Sequence, residues 1–329
     1  MSAMRDNQIH LRSKGPSDSR GPLATFIAGI SATKIQRVGK MLGALAFHLD
    51  VPHRRIVRRN LKFIHPDWPP GKIRKLSKRV FQNLGITITE ILQMTCLSKE
   101  EILGKAKIHG VKNLIDALKG GQGAIMISAH LGNWEMAAMV GPLYLDTPIN
   151  AVAKKLRFEF INNLVVNLRT RFGCKVIDKE EALPQMRKAL RQGEILGILI
   201  DQGARSRESV GITFFGRRVR ATSAASLLAL RCKSPVVPAF CVRDAGGKLN
   251  LLIEPPLKLV RTRNLRADLK TNTQIMTDVV EKAVSKYPEQ WFWVHKRWKK
   301  YYPRLYPEFS AKRKRRRIRK RKKILAGKI

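Results

Sequence analysis

The chain has 329 residues, 44% of them apolar, which is enough to build a domain-sized core and excludes wholesale disorder. Lys and Arg total 65 against 24 Asp and Glu, a net charge of +41, so an anionic partner or surface is expected: nucleic acid, anionic lipid or an acidic carrier protein. The four cysteines, Cys96, Cys174, Cys232 and Cys241, form no CxxC pair and have no His at zinc-ligand spacing, which argues against a disulfide scaffold and a zinc module. They read as reduced thiols of a cytosolic compartment, mostly buried.

Residues 1–21 read as a disordered leader without apolar periodicity. Residues 22–49 are apolar but punctuated by Lys34, Arg37 and Lys40; as a helix they fit either a membrane interface or ordinary packing on the domain. The charge-free stretches 21–33 and 120–134 do not supply the roughly 20 apolar residues that a bilayer-spanning helix needs, and the late, interrupted apolar run does not resemble a secretory signal. Residues 51–80 hold ten Lys/Arg against one acid, Asp67. Arg54, Arg55, Arg58, Arg59 and Lys62 recur at helical spacing beside an apolar stripe of Val57, Leu61 and Ile64. Pro66, Pro69, Pro70 and Gly71 then mark a turn, and a second basic helix follows over 73–92.

From about 108 to 255 helix and strand patterns alternate. Helical 111–119 leads to a strand at 124–128, helical 184–192 to a strand at 194–200, and helical 223–231 to a strand at 235–242; a further strand is expected at 248–253 and a late helix at 271–287. The expected fold is α/β: a mixed, largely parallel central sheet flanked by helices, with N-terminal interfacial helices and a basic C-terminal tail. The expected organisation is a leader over 1–21, interface and basic helices over 22–107, the α/β domain over 108–309, and a disordered polybasic tail over 310–329. Within that tail, 312–323 carries eleven basic residues in twelve. Ligands of such sheets bind beyond the carboxyl ends of strands, and two strands end at His130 and Asp201, so both are placed to line one crevice.

The sequence His130-Leu-Gly-Asn-Trp-Glu135 follows the first of these strands. Five residues do not put both side chains on one helical face. With His130 in the turn and Glu135 in the first helical turn, however, the carboxylate can accept a hydrogen bond from one ring nitrogen and leave the other free to take a hydroxyl proton. Spacing alone equally allows a structural His followed by a Glu that suits the helix dipole.

Five ordered blocks over residues 22–305 resemble the lipid A late-acyltransferase (lauroyl/myristoyl transferase) branch of the lysophospholipid acyltransferase superfamily. They are SAHLGNWE, with Glu where glycerolipid acyltransferases commonly have Asp; AKKLRFEFINNLVVNLRTRFG; ILIDQGARSRESVGITFFGRRVRATSAASLLALR; PVVPAF; and YPEQWFWVHKRWK. The resemblance implies transfer of a fatty acyl chain from a thioester to a hydroxyl of a lipid A precursor. Another glycolipid or a lysophospholipid is the alternative acceptor, and acyl-CoA the alternative donor. It casts His130 as general base and Glu135 as its orienter.

Arg169 is implied to bind phosphate or steady an oxyanion, with capping of its own helix near Gly173 as the plainer role. Arg157, Asn162, Asn133, Gln202 and Asp201 are further substrate-side candidates, Asp201 as an organiser of the site. Phe214 and Phe215 form either a pocket wall or core, and Arg205 is a candidate for anionic headgroups. His295, beside Trp291 and Arg297, is expected to be structural. No metal or cofactor is expected beyond the acyl thioester. Acyl carrier protein, anionic membrane lipid and a lipid A precursor are the expected partners, at the cytoplasmic face of a bacterial inner membrane. Nucleic acid is not, although a nucleic-acid-binding role for the tail and a catalytically silent membrane scaffold stand as rival readings.

Overall fold

In the computed structural model, the described residues are 20–145, 147–153, 158–178, 182–204 and 209–308. The leader up to residue 19, Arg157, Arg205 and the basic tail lie outside them. Four helices come first: α1 (Pro22–Gly29), α2 (Ala32–Leu49), α3 (Val51–Ile64) and α4 (Pro70–Met94). The single helix expected over 22–49 is broken at Ile30, because Ser31 takes an extended conformation and its hydroxyl caps the new helix at Lys34 N. Asp50 caps α3 in the same way through His53 N, and Pro70 opens α4 where its missing N–H costs nothing. Helices α2 and α4 cross at glycines. A Cβ on Gly39, Gly43 or Gly85 would overlap the facing backbone, so small residues here set the close approach.

The rest of the chain builds a seven-stranded sheet. After α5 (Lys99–Lys105), its strands are β1 (Ala106–His109), β2 (Ala124–Ser128), β3 (Ile149–Ala153), β4 (Cys174–Asp178), β5 (Ile195–Leu199), β8 (Val236–Arg243) and β9 (Leu249–Ile253). They lie in the order β1-β9-β8-β2-β5-β3-β4. All neighbours pair in parallel except β8 and β9. The connecting helices are α6 (Val111–Leu118), α7 (Trp134–Leu145), α8 (Glu159–Arg171), α9 (Ala182–Arg191) and α10 (Ala224–Cys232), and α11 (Leu265–Lys286) follows the sheet. The largely parallel α/β sheet expected from the alternating pattern is therefore present. Strands β2 and β8 are buried along their whole length, as a sheet covered on both faces requires.

Three features differ from the expectation. Strands β1, β3 and β4 are additional, α11 starts six residues before 271, and a two-stranded hairpin, β6 (Ser209–Phe214) with β7 (Arg217–Thr222), stands apart from the sheet. Phe215 turns that hairpin with φ of 51°, and its N–H is held by the Glu281 carboxylate of α11. The register of the central pair matters most. Ser128 of β2 lies opposite Leu199 of β5. Ile200 N then donates to Ser128 O at 3.0 Å, so the chain leaves both strands side by side.

Candidate active site

That register sets His130 beside Asp201. The imidazole Nδ1–H donates to Asp201 Oδ1 at 2.8 Å, and His130 N donates to Oδ2 at 3.1 Å. The indole of Trp291 donates to the same Oδ2 at 2.9 Å. The side chain of Asp201 is 2% exposed and that of His130 is 20% exposed, so the carboxylate lies under a ring that still reaches solvent. Burial by itself would neutralise Asp201; the His130 charge and three hydrogen bonds overcome it and hold the carboxyl near 2. Burial likewise disfavours the imidazolium, but the Asp201 charge and hydrogen bond outweigh it and His130 is raised above its ordinary value. Glu135 adds to that rise and Arg169 opposes it.

With Nδ1–H committed to Asp201, Nε2 is the acceptor. The Gln202 amide nitrogen lies 3.2 Å from it, and the ring packs against Trp134 and Phe292, at centroid distances of 5.2 and 5.8 Å, which also meet each other at 6.1 Å. Trp134 and Phe292 are site residues that the sequence reading missed; both stand in quoted blocks, beside residues that were singled out.

The expected His130–Glu135 hydrogen bond is replaced by the one to Asp201. Glu135 lies in the first turn of α7, where its carboxylate accepts a bidentate pair from Arg169 of α8: Nε to Oε2 and Nη2 to Oε1, both at 2.7 Å. Trp134 Nε1 adds a third donor at 3.1 Å. Arg169 therefore neither caps its own helix nor stands free for a ligand with its whole fork; Nε and Nη2 are taken, while Nη1 makes no hydrogen bond among the described residues.

Asp201, expected as an organiser of the site, lies beneath the imidazole, and Gln202 flanks the ring. Asn133 is fully buried: its Oδ1 accepts from Met136 N at the start of α7 and its Nδ2 donates to Glu90, so its side chain is committed within the fold. Phe215 packs among Phe214, Trp293 and His65 at the hairpin tip, which is the core role. Asn162 is half-buried on α8.

His295 sits in an irregular turn. Burial and the Lys299 charge lower it to about 4, so it is neutral, and its carbonyl accepts from Asn60. Arg297 is buried behind the site. Burial lowers it to about 10 against the opposing pull of Asp201, and its Nη1 donates to Arg220 O at 2.7 Å.

The arrangement is a carboxylate-held imidazole at the carboxyl edge of a parallel sheet, where such sheets commonly place their sites, with Nε2 not committed to the carboxylate. Residues 23–300 match the model of the bacterial lipid A biosynthesis acyltransferase family, and the chain belongs to that family. It is accordingly an acyltransferase. It is similar to a lipid A biosynthesis lauroyltransferase of Escherichia coli, at 26% identity over 80% of this chain and 85% of that protein. A lipid A biosynthesis acyltransferase of Haemophilus influenzae is 23% identical over 77% and 78% of the two chains. A phosphatidylinositol mannoside acyltransferase of Mycolicibacterium smegmatis is 23% identical over 57% and 60%.

Proposed function

We propose that the enzyme transfers a fatty acyl chain from a thioester, carried by acyl carrier protein, to a hydroxyl of a lipid A precursor. The observation that carries the mechanism is the 2.8 Å contact of His130 Nδ1 with Asp201 beneath a ring whose Nε2 faces Gln202. The acceptor hydroxyl displaces the Gln202 amide from Nε2 and gives its proton to His130 as its oxygen attacks the thioester carbonyl. Asp201 fixes the tautomer and balances the imidazolium that forms. Collapse of the tetrahedral intermediate expels the thiolate, which takes the proton back from His130. A placed general base contributes roughly 10²–10⁴ in rate, and hydrogen-bond donors must meet the oxyanion for the rest. Arg169, pinned by Glu135 and with no hydrogen bond to Nη1 among the described residues, is the donor we assign to the oxyanion or to a substrate phosphate.

A second surface supports a membrane location. Among the described residues no helix is long and apolar enough to cross a membrane. Yet Val38, Met41, Leu42, Leu45 and Leu49 form one exposed face of α2, with Leu23 and Phe26 of α1 and Ile88 and Leu92 of α4 also exposed. Lys34, Arg37 and Lys40 lie exposed on the same helix. An apolar face with flanking cations fits the interface of an anionic bilayer, which we assign as the cytoplasmic face of the inner membrane.

Purified enzyme with radiolabelled acyl carrier protein thioester and a Kdo-bearing lipid A precursor should form labelled product that His130→Ala abolishes. Label appearing only on another glycolipid would shift the acceptor to the second reading, which the mannoside acyltransferase match favours. Activity with acyl-CoA alone would replace the donor.

A further inference from the structure

We infer that Glu90, Arg243 and Thr87, none of which touches the imidazole, form a buried polar clamp that positions the His130 turn; the inference rests on the reading of His130 as the base. Tracing the backbone polar groups of the turn leads to it. His130 N is held by Asp201, and His130 O accepts from Phe292 N at 3.0 Å. Gly132 N donates to Gln290 O at 3.0 Å and Asn133 N to Cys241 O at 2.9 Å. Gly132 O accepts from the Thr87 hydroxyl of α4 at 3.0 Å. Gly132 itself has φ of 60°, and a Cβ there would overlap Cys241 O, so the turn is pressed against β8 at this point.

Behind these contacts lies a charge pair. Arg243, the last residue of β8, donates through Nε and Nη2 to both oxygens of Glu90, at 2.9 and 2.6 Å, and through Nη2 to Thr87 Oγ1 at 2.7 Å. Glu90 also accepts from Asn133 Nδ2 at 2.9 Å and from Gln36 of α2 at 3.2 Å. Gln290 closes the far side: its amide donates to Arg243 O and accepts from Arg243 N, at 2.8 and 2.9 Å. Glu90, Arg243, Asn133, Thr87 and Gln290 are all buried.

One carboxylate thus ties four elements together: α2, α4, the edge of β8 and the residue that caps α7. The catalytic turn has two grips on this unit, Thr87 to Gly132 O and Glu90 to Asn133. A buried network in which the groups that bind the turn are themselves held has few alternative arrangements, which is what a turn needs to present a ring within a fraction of an ångström. The exposed apolar faces of α2 and α4 sit on the other side of the same helices, so contact of those faces with a bilayer bears on the helices that hold the turn.

The test separates positioning from mere stability. Thr87→Val keeps shape and removes the hydroxyl. Glu90→Gln keeps shape and removes the charge. The double variant Glu90→Met/Arg243→Met replaces the pair with apolar volume, a change that often restores stability to a core whose ion pair is broken. Three readouts are taken: kcat and KM for acyl transfer per folded molecule, the thermal midpoint, and the titration midpoint of the His130 imidazole by NMR.

The charged groups facing that ring are Asp201 beyond β5, Glu135 on α7 and Arg169 on α8, with neutral His295 further off; the variants touch none of them. Displacement of the turn should lower kcat about ten- to hundred-fold with KM nearly unchanged, and move the imidazole midpoint down as its hold on Asp201 loosens. The double variant should regain thermal stability and remain slow. If Thr87→Val, the mildest change, lowers the thermal midpoint but leaves kcat and the imidazole midpoint at the wild-type values, the clamp only stabilises the fold and the proposal fails. A fall in kcat with an unmoved imidazole midpoint also overturns it. Should the wild type transfer no acyl group to any acceptor, the functional reading falls while the NMR midpoint still decides the positioning.

Discussion

Two carboxylates act electrostatically on the same imidazole from different sides, and their partners differ. Among the described residues Asp201, beyond β5, is hydrogen-bonded to no cation but the ring itself; its other hydrogen bonds come from the His130 N–H and the Trp291 indole, and Arg297 acts on it through charge alone. Glu135, on α7, is engaged by a guanidinium through two 2.7 Å hydrogen bonds. In the proposed mechanism Asp201 is thus the carboxylate that stabilises the positive charge appearing on the ring, whereas Glu135 is already paired with one that is permanent. On the proposed reading, the role of a carboxylate near a base is decided by what else it holds, and the first acid downstream in sequence is not the orienter. It also frames the experiments that can break the assignment.

The largest effect is expected for Asp201→Asn. The amide can still bond the ring but cannot balance the imidazolium, and it favours the wrong tautomer, so kcat should fall about 10²–10⁴-fold. The sign of the pH effect follows from the raised His130 value. The base is inactive when protonated, so wild-type activity should rise with pH through a midpoint above the ordinary imidazole value of about 6.5. Removing Asp201 should drop that midpoint. The same shift has a stability face. A raised histidine contributes stability below its unfolded value, lost as pH climbs through the folded one, and Asp201→Asn should flatten the dependence of the thermal midpoint in that window. A kcat within a few-fold of wild type would return the orienting role to Glu135.

An intermediate effect is expected on the other side. Glu135→Gln removes one charge that raises His130 and leaves Arg169, which lowers it, unneutralised; the acid limb should move down. Arg169→Gln should move it up, because the opposing cation is gone while Glu135 remains. Losses of about ten- to hundred-fold in kcat are expected for both, since each breaks a paired, largely buried site. Acid limbs that shift in the same direction in both variants would show that Glu135 and Arg169 act through geometry rather than charge.

How far the site could be read from sequence follows the same division. His130 and Asp201 were legible as residues at strand ends, because apolar runs bounded by Gly and polar residues mark parallel strands. Their pairing was not legible, because it depends on β2 lying next to β5 in a register no local pattern carries. The five-residue spacing to Glu135 suggested a closer partner than the fold provides, and an arginine 34 residues on takes that carboxylate instead. Asn133 belongs to a motif block, yet it serves α7 and Glu90. The clamp was invisible: Glu90 and Arg243 are 153 residues apart. The one available hint was that Glu90 is the single acid in the 25-residue helix α4, a charge with no local reason to be there. Hairpin β6–β7 was missed because the first residue of its two-residue turn is Phe215, a bulky residue at positive φ, ahead of Gly216.

The smallest expected effect is also the sharpest check on Asp201. Trp291→Phe keeps most of the buried ring but removes the N–H that donates to Oδ2. A carboxylate that loses a donor holds its charge less diffusely and attracts a proton more strongly, so the neighbouring imidazolium is better stabilised. The acid limb should therefore move up, opposite to Asp201→Asn, while kcat falls only about three- to ten-fold from a slightly freer carboxylate, a loss of roughly 1 kcal/mol, as for one neutral hydrogen bond. Opposite signs from two changes to one carboxylate, one removing its charge and one concentrating it, would be hard to obtain unless the ring responds to Asp201 directly. An unmoved limb in Trp291→Phe would mean that the indole braces the packing around Asp201 without tuning it.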